Sequence, residues 1–276
     1  PDMTSWTAMV NRVKHPSAGT AKIAVVGKYT DHIDSYKSIQ ESLIHGGIAN
    51  DVKADIHWLS SEVFDNGEGV EKLKEYDGLL IPGGFGPRGV EGMLETIRWA
   101  RENQMPFFGI CLGLQCAVIE FARNVCGLEG SHSSEFAEAS PDPVICLLDS
   151  QLQVTTMGGT MRLGAYPCAL GEGTKAREIY GVDEISERHR HRFEVNNEYR
   201  DLLTDNGMTI SGTSPDGGLV EMIELTEHPW FVAGQFHPEL KSRPTRPHPL
   251  FASFVGAAAA YARNQPAKPA AEPASV

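Results

Sequence analysis

The sequence predicts an α/β fold: a doubly wound, mainly parallel sheet flanked by helices, with some antiparallel strands in the C-terminal half. Two observations carry this. Up to about residue 125, short apolar runs ending in glycine or proline alternate with stretches of helical periodicity, and such alternation needs crossovers between parallel strands. Beyond about residue 150 the rhythm changes to strand-like runs separated by turn residues, the pattern of antiparallel neighbours.

Ile23-Ala24-Val25-Val26 is an apolar run closed by Gly27 and reads as a buried strand. Residues 35–46 carry Ile39, Leu43 and Ile44 at helical spacing, with Gly46-Gly47 as a stop signal. Residues 51–60 read as a strand, as does Asp77–Ile81, which runs into Pro82-Gly83-Gly84. A helix over 91–103, a strand over Phe107–Ile110 and a helix over 112–125 follow. Strands are expected at 154–170, 188–196, 208–213, 218–225 and 230–236, and a last helix at 249–263. Residues 1–20 read as an interdomain linker remnant, in which the Trp6, Met9, Val10 and Val13 spacing allows a short helix. The Pro/Ala-rich stretch 265–276 is expected to be disordered. The domain proper is then 21–264, without an internal repeat, and the opening at Pro1 rather than Met reads as an excised fragment.

Bulk properties narrow the function. A net charge of -12 repels phosphate backbones, so no nucleic-acid partner is expected. The 5 cysteines contain no CxxC pair, which gives neither a disulfide framework nor a zinc knuckle and fits a reducing, cytoplasmic setting. No signal peptide is legible, and no apolar run approaches the roughly 20 residues that cross a bilayer, so no membrane association is expected.

The strongest chemical signal is Gly109-Ile110-Cys111-Leu112-Gly113, between an expected strand and an expected helix. A nucleophile on such a sharp turn stands exposed above the sheet edge, its small neighbours relieve crowding, and the helix N-terminus favours thiolate. The bland alternative, a buried core cysteine, suits the other four, Cys116, Cys126, Cys146 and Cys168, which lack this setting. A thiol needs a base and the base an orienting group. Gln235-Phe236-His237-Pro238-Glu239 follows a strand and offers His237 as base and Glu239 as its orienter. Pro82-Gly83-Gly84-Phe85-Gly86 lies at a strand C-terminus, where open α/β sheets place their sites, and the Gly84 and Leu112 amides are the expected oxyanion donors; a plain tight turn is the alternative.

The run Arg188-His189-Arg190-His191-Arg192-Phe193 puts His189, His191 and Phe193 on one strand face and the arginines on the other. So many cations point to recognition of a carboxylate or phosphate rather than to a solvated face. The H-x-H pair has no carboxylate or thiolate at ligand spacing, so no metal is assigned. Gly27-Lys28 follows a strand but lacks the glycines of a phosphate loop, and nothing looks built to bind ATP.

Together PGGFG, GICLGLQ and HPE resemble class I (triad-type) glutamine amidotransferase domains, whose fold is flavodoxin-like. KIAVVGKY, SYKSIQESLIHGG, GGFGPRGVEGM, GGTMRLGAYP, ERHRHRFEVN and GQFHPEL resemble the CTP synthase branch, over about residues 20–264. The resemblance implies hydrolysis of L-glutamine to glutamate through a thioester on Cys111, with His237 and Glu239 completing the triad. It implies that Gly84, Leu112, Gly113, Leu114 and Gln115 meet the substrate, that Glu135 binds its α-amino end and that Arg192 binds its α-carboxylate. Arg162 resembles a residue linked to allosteric activation by GTP. No cofactor is implied for this domain; ATP and Mg, with GTP as effector, are implied for a full-length homotetrameric enzyme whose N-terminal synthetase domain aminates UTP. That domain is missing from the chain. Two rivals remain open at this point: another Cys-His-Glu hydrolase such as a γ-glutamyl hydrolase, and a non-catalytic regulatory module.

Overall fold

The computed structural model describes residues 2–147 and 161–265. The first part of the strand expected over 154–170 and nearly all of the tail expected over 265–276 lie outside these residues. Strand β1 (Thr20–Gly27) is flanked by β2 (Lys53–Ser60) and β3 (Gly78–Ile81); β3 pairs β4 (Phe107–Ile110), and β4 pairs β12 (Phe231–Gly234), all in parallel. From β12 the sheet continues antiparallel through β11 (Val220–Leu225), β10 (Met208–Thr213), β7 (Arg162–Leu170) and β8 (Glu184–His191). The order is β2-β1-β3-β4-β12-β11-β10-β7-β8. The parallel half and the antiparallel extension both follow the expectation.

Seven α-helices are present among the described residues: α1 (Thr4–Lys14), α2 (Lys37–Asn50), α3 (Val90–Glu102), α4 (Leu112–Asn124), α5 (Lys175–Tyr180), α6 (Arg200–Asp205) and α7 (Pro249–Asn264). The pleat divides the sheet's side chains between two cores. Leu79, Ile81 and Phe107 pack with Met93 and Ile97 of α3 and Leu114, Val118 and Phe121 of α4. Leu80 and Phe108 face the other way, against Leu43 of α2 and Phe251 and Phe254 of α7. Each fully buried side chain of this size contributes roughly 1.5–3 kcal/mol. Helix α1 realises the short helix allowed by its spacing and buries none of its residues.

Three expectations need correction. Gly46-Gly47 does not stop α2, which runs on to Asn50 and ends at Asp51 in the left-handed region, φ 54. A Cβ on Gly46 would lie 2.6 Å from the Phe251 carbonyl oxygen, so this glycine lets α2 and α7 approach rather than ending the helix. The strand expected over 188–196 is two strands. Alternation holds through His191, breaks at Arg192, and resumes as β9 (Phe193–Val195) in a different sheet. That second sheet, β5 (Ser131–Ser133), β6 (Asp142–Leu147) and β9, was not expected: β5 is three polar residues, too short for periodicity to register.

Candidate active site

Cys111 follows β4 and is the N-cap of α4, with φ 53 and ψ -100, a strained combination for a residue carrying a side chain. Its neighbours explain how the turn closes. A Cβ on Gly113 would fall 2.2 Å from the Ile81 carbonyl oxygen, and one on Gly109 would fall 2.8 Å from Gly113 backbone atoms. Only glycine fits either place. The elbow is therefore real, but the cysteine does not stand free above the sheet: it is 4% exposed, at the wall shared by two cavities. The loop after β3, whose Gly84 and Phe85 line both cavities, closes over it.

The candidate base arrives from the parallel neighbour. Strand β12 pairs with β4 so that Gly234 stands opposite Ile110, and the chain after β12 reaches His237 beside the elbow. The His237 amide donates to the Arg188 carbonyl at 2.7 Å, fixing the backbone. Its Nδ1 meets Glu239 Oε1 at 2.7 Å, which leaves Nε2 for the Cys111 side chain, the ring's other hydrogen-bond partner. Burial opposes charge on this imidazole, but the Cys111 sulfur and the Glu239 carboxylate outweigh it and raise its pKa well above the usual histidine value. The arrangement sets a thiol, an imidazole and a carboxylate in sequence, the pattern of an activated cysteine. Neither the Gly84 nor the Leu112 amide finds an acceptor among the described residues, the condition expected of donors kept for an oxyanion.

One of the two cavities, about 130 Å³, is lined by Cys111, Gly84, Gln115, Glu135 and Arg192, so residues far apart in sequence share one small chamber. Glu135 lies between β5 and β6; burial raises its pKa, against the Gly86 amide that donates to it at 3.2 Å and the nearby charges of Lys28 and Arg192. Arg192 sits at the break between β8 and β9, and that break lets it line the chamber while Arg188 and Arg190 stay on the solvent face. The chamber thus offers one anion and one cation to a small ligand, with the thiol beside them. Leu114 does not reach it through its side chain, which belongs to the core between α3 and α4. Arg162 lies in a buried ion-pair cluster, bonded to Glu194 at 3.1 Å and Glu221 at 2.8 Å. Next to it His189 Nδ1 and His191 Nε2 are 2.8 Å apart; burial, then Arg162, keeps His189 neutral by pushing its pKa down to about 3. No group of three His, Cys, Asp or Glu residues able to hold a metal occurs among the described residues.

A family model described as "Glutamine amidotransferase class-I" matches residues 31–257. The chain is a class I glutamine amidotransferase. The amidotransferase is 58% identical over 257 residues to CTP synthase of Clostridium perfringens, covering 93% of this chain and 48% of that protein. To CTP synthase of Acidobacterium capsulatum it is 52% identical over 275 residues, covering 100% of this chain and 50% of that protein. The chain therefore spans about half the length of these curated relatives. Among solved structures it is similar to the Trypanosoma brucei CTPS glutaminase domain with bound acivicin, with TM-score 0.83 and 38% identity, covering 87% of this chain and 94% of that domain. This likeness puts the amidotransferase in the CTP synthase branch and sets aside the γ-glutamyl hydrolase and non-catalytic readings.

Two polar residues of the amidotransferase site carried no legible signal of their own. Lys28, a poor fit to a phosphate loop, is buried and turns its Nζ to the Phe85 and Gly86 carbonyls, so it braces the loop that bears Gly84. Gln235, two residues before the base, is 0% exposed and lies against the Cys111 sulfur. Its place within the HPE-containing segment was the one hint available.

Proposed function

We propose that the domain hydrolyses L-glutamine to glutamate and ammonia through a γ-glutamyl thioester on Cys111. The observation carrying this is the thiol–imidazole–carboxylate set of Cys111, His237 and Glu239, opening onto a chamber that holds both Glu135 and Arg192. Arg192 pairs with the α-carboxylate of glutamine and Glu135 with its α-ammonium, which leaves the side-chain amide directed at the sulfur. The Cys111 thiolate attacks the amide carbon, and the Gly84 and Leu112 amides take up the oxyanion. His237 Nε2 gives its proton to the departing nitrogen, releasing ammonia. It then takes a proton from the water that attacks the thioester, and glutamate leaves as the thiolate returns. Leu112, Gly113 and Leu114 act through the backbone of the first turn of α4, and Gln115 through its side chain in the chamber wall.

In the whole protein the ammonia supplies an ATP- and Mg-dependent amination of UTP to CTP in a synthetase domain, with GTP as effector, in a cytoplasmic homotetramer. Support for this wider reading comes from relatives about twice as long as the chain. Arg162 couples effector to site in this reading, since its partner Glu194 is two residues from Arg192.

The test is glutamate release from L-glutamine by the wild-type chain and by Cys111→Ala. Activity in the first and none above background in the second is expected, with thermal unfolding little changed. Equal turnover by both would overturn the mechanism. Transfer of amide ¹⁵N from glutamine into CTP, measured when the synthetase domain is supplied, tests the wider reading.

A further inference from the structure

Gln235 has no role in the mechanism above, yet its polar side chain is fully buried and touches the nucleophile. It lines neither cavity around Cys111, so it does not wait for a ligand. Its backbone is pinned: the Gln235 amide donates to the Glu221 carbonyl at 2.9 Å, and the Cys111 amide donates to the Gly234 carbonyl at 2.8 Å. The two side chains therefore emerge side by side from the ends of β12 and β4.

The direction of its side-chain amide follows from hydrogen-bond chemistry. The Phe193 carbonyl oxygen can only accept, so the Gln115 atom 3.0 Å from it must be Nε2. That same nitrogen has a second proton, directed at a Gln235 atom 3.4 Å away, which must be the acceptor Oε1. Gln235 Nε2 is thereby left facing Cys111 Sγ at 3.8 Å. An amide nitrogen does not accept, so the N–H donates to the sulfur. The donors start at Gln115 Nε2, which gives one proton to the Phe193 carbonyl and the other to Gln235 Oε1, and end with Gln235 Nε2 donating to the nucleophile. Reversing Gln235 would set two amide nitrogens against each other and leave a buried N–H without an acceptor, which costs more than the bond itself.

We propose that Gln235 is a catalytic residue that stabilises negative charge on the Cys111 sulfur. It does so at two points: when Sγ gives its proton to His237 Nε2, and when the C–S bond of the thioester breaks and its electron pair returns to sulfur. Gln235 keeps its own protons throughout; it contributes a hydrogen bond to the charged form. The inference rests on Cys111 being the nucleophile of the proposed hydrolysis.

Gln235→Met, of similar length without the donor, is the direct test. Alkylation by iodoacetamide, followed at the Cys111-containing peptide by mass spectrometry, needs no oxyanion site and no glutamine. At neutral pH it should slow about tenfold, the scale of one weak hydrogen bond to a charged group. The deficit should close at high pH, where thiolate forms without help. With glutamine, kcat should fall about 10–10²-fold and KM stay within threefold. Unchanged alkylation at neutral pH would overturn the proposal, and so would a deficit that persists at every pH, which marks a displaced cysteine. Should Gln235→Met fail to fold, Gln115→Met carries the test: it frees the Gln235 amide to turn, and the same closing deficit is expected with Gln235 intact. The alkylation result judges Gln235 whether or not the wild-type chain turns over glutamine, so its failure is separable from failure of the proposed function.

Discussion

Replacing Gly83 by alanine tests the placement of the base by a single methyl group. The added Cβ would lie 2.8 Å from His237 Cε1 and 3.7 Å from Cys111 Cβ. Gly83 does not occupy the left-handed region, so its backbone tolerates alanine and the effect is confined to this contact. Ordinary contact starts near 3.4 Å, which requires the ring to retreat by at least 0.6 Å. The ring has little freedom to do so. Glu239 holds Nδ1 at 2.7 Å, and the His237 amide is tied to the Arg188 carbonyl at 2.7 Å. The retreat therefore lengthens the hydrogen bond to Cys111 or breaks the one to Glu239. Displacements of about 1 Å in a catalytic group cost on the order of 10²-fold, so kcat for glutamine should fall by about 10–10²-fold. Glutamine KM should hardly move, because Arg192 and Glu135 line the chamber on the side away from the base. Coupled detection of glutamate gives both constants, and circular dichroism confirms the fold. A kcat within threefold of wild type would refute the view that His237 is rigidly held against the sulfur.

Further outcomes follow from the same structure. Arg192→Ala should raise glutamine KM by about 10–10²-fold through loss of a charge-assisted bond, and Arg192→Lys should restore only part of it, since a point charge replaces a bidentate fork; an unchanged KM in both variants would remove Arg192 from substrate binding. Stability should fall in mild acid through His228, whose Nδ1 accepts from the Trp230 amide at 3.2 Å and whose Nε2 faces the Ala100 carbonyl at 3.3 Å. Burial pushes its pKa down to about 4. Its contribution is thus present above the ordinary histidine value near 6.5 and is lost as pH falls from there through 4, worth about 3 kcal/mol over the window. Thermal midpoints measured from pH 7 to 4 should drop more steeply for wild type than for His228→Gln, and parallel curves would contradict this.

The parts of the site that could be read without coordinates are those whose cause is local. Cys111 announces itself because Gly109 and Gly113 stand on either side of it at a change of periodicity, and the contacts of those two positions with Ile81 and Gly113 backbone show why no side chain fits there. His237 and Glu239 are two residues apart, so their hydrogen bond is set largely by the turn they share. The apolar runs of β1, β3 and β4 fix the parallel half of the sheet for the same reason: alternation and turn residues act between near neighbours. Glu135 and Arg192 were different. The roles proposed for them came from likeness to a family: the arginine run pointed to an anion without singling out Arg192, and nothing around Glu135 in sequence marks a binding residue.

Tertiary structure alone decided the remainder. The arginine run looked like one strand with three equivalent cations, and only pairing of β9 with β6 turns Arg192 out of line and into the chamber. Gly46 looked like a helix end because the backbone of α7, some two hundred positions away, is not visible from its neighbours. Lys28 and Gln235 gained their places from loops and strands that meet them only after the sheet assembles. The sequence by itself thus determined the fold class and marked out Cys111 and His237 as the candidate nucleophile and base, through constraints that act over a few residues. Which other polar groups converge on the sulfur depended on packing between distant segments, where the cost of leaving a buried donor or acceptor without a partner selects one arrangement.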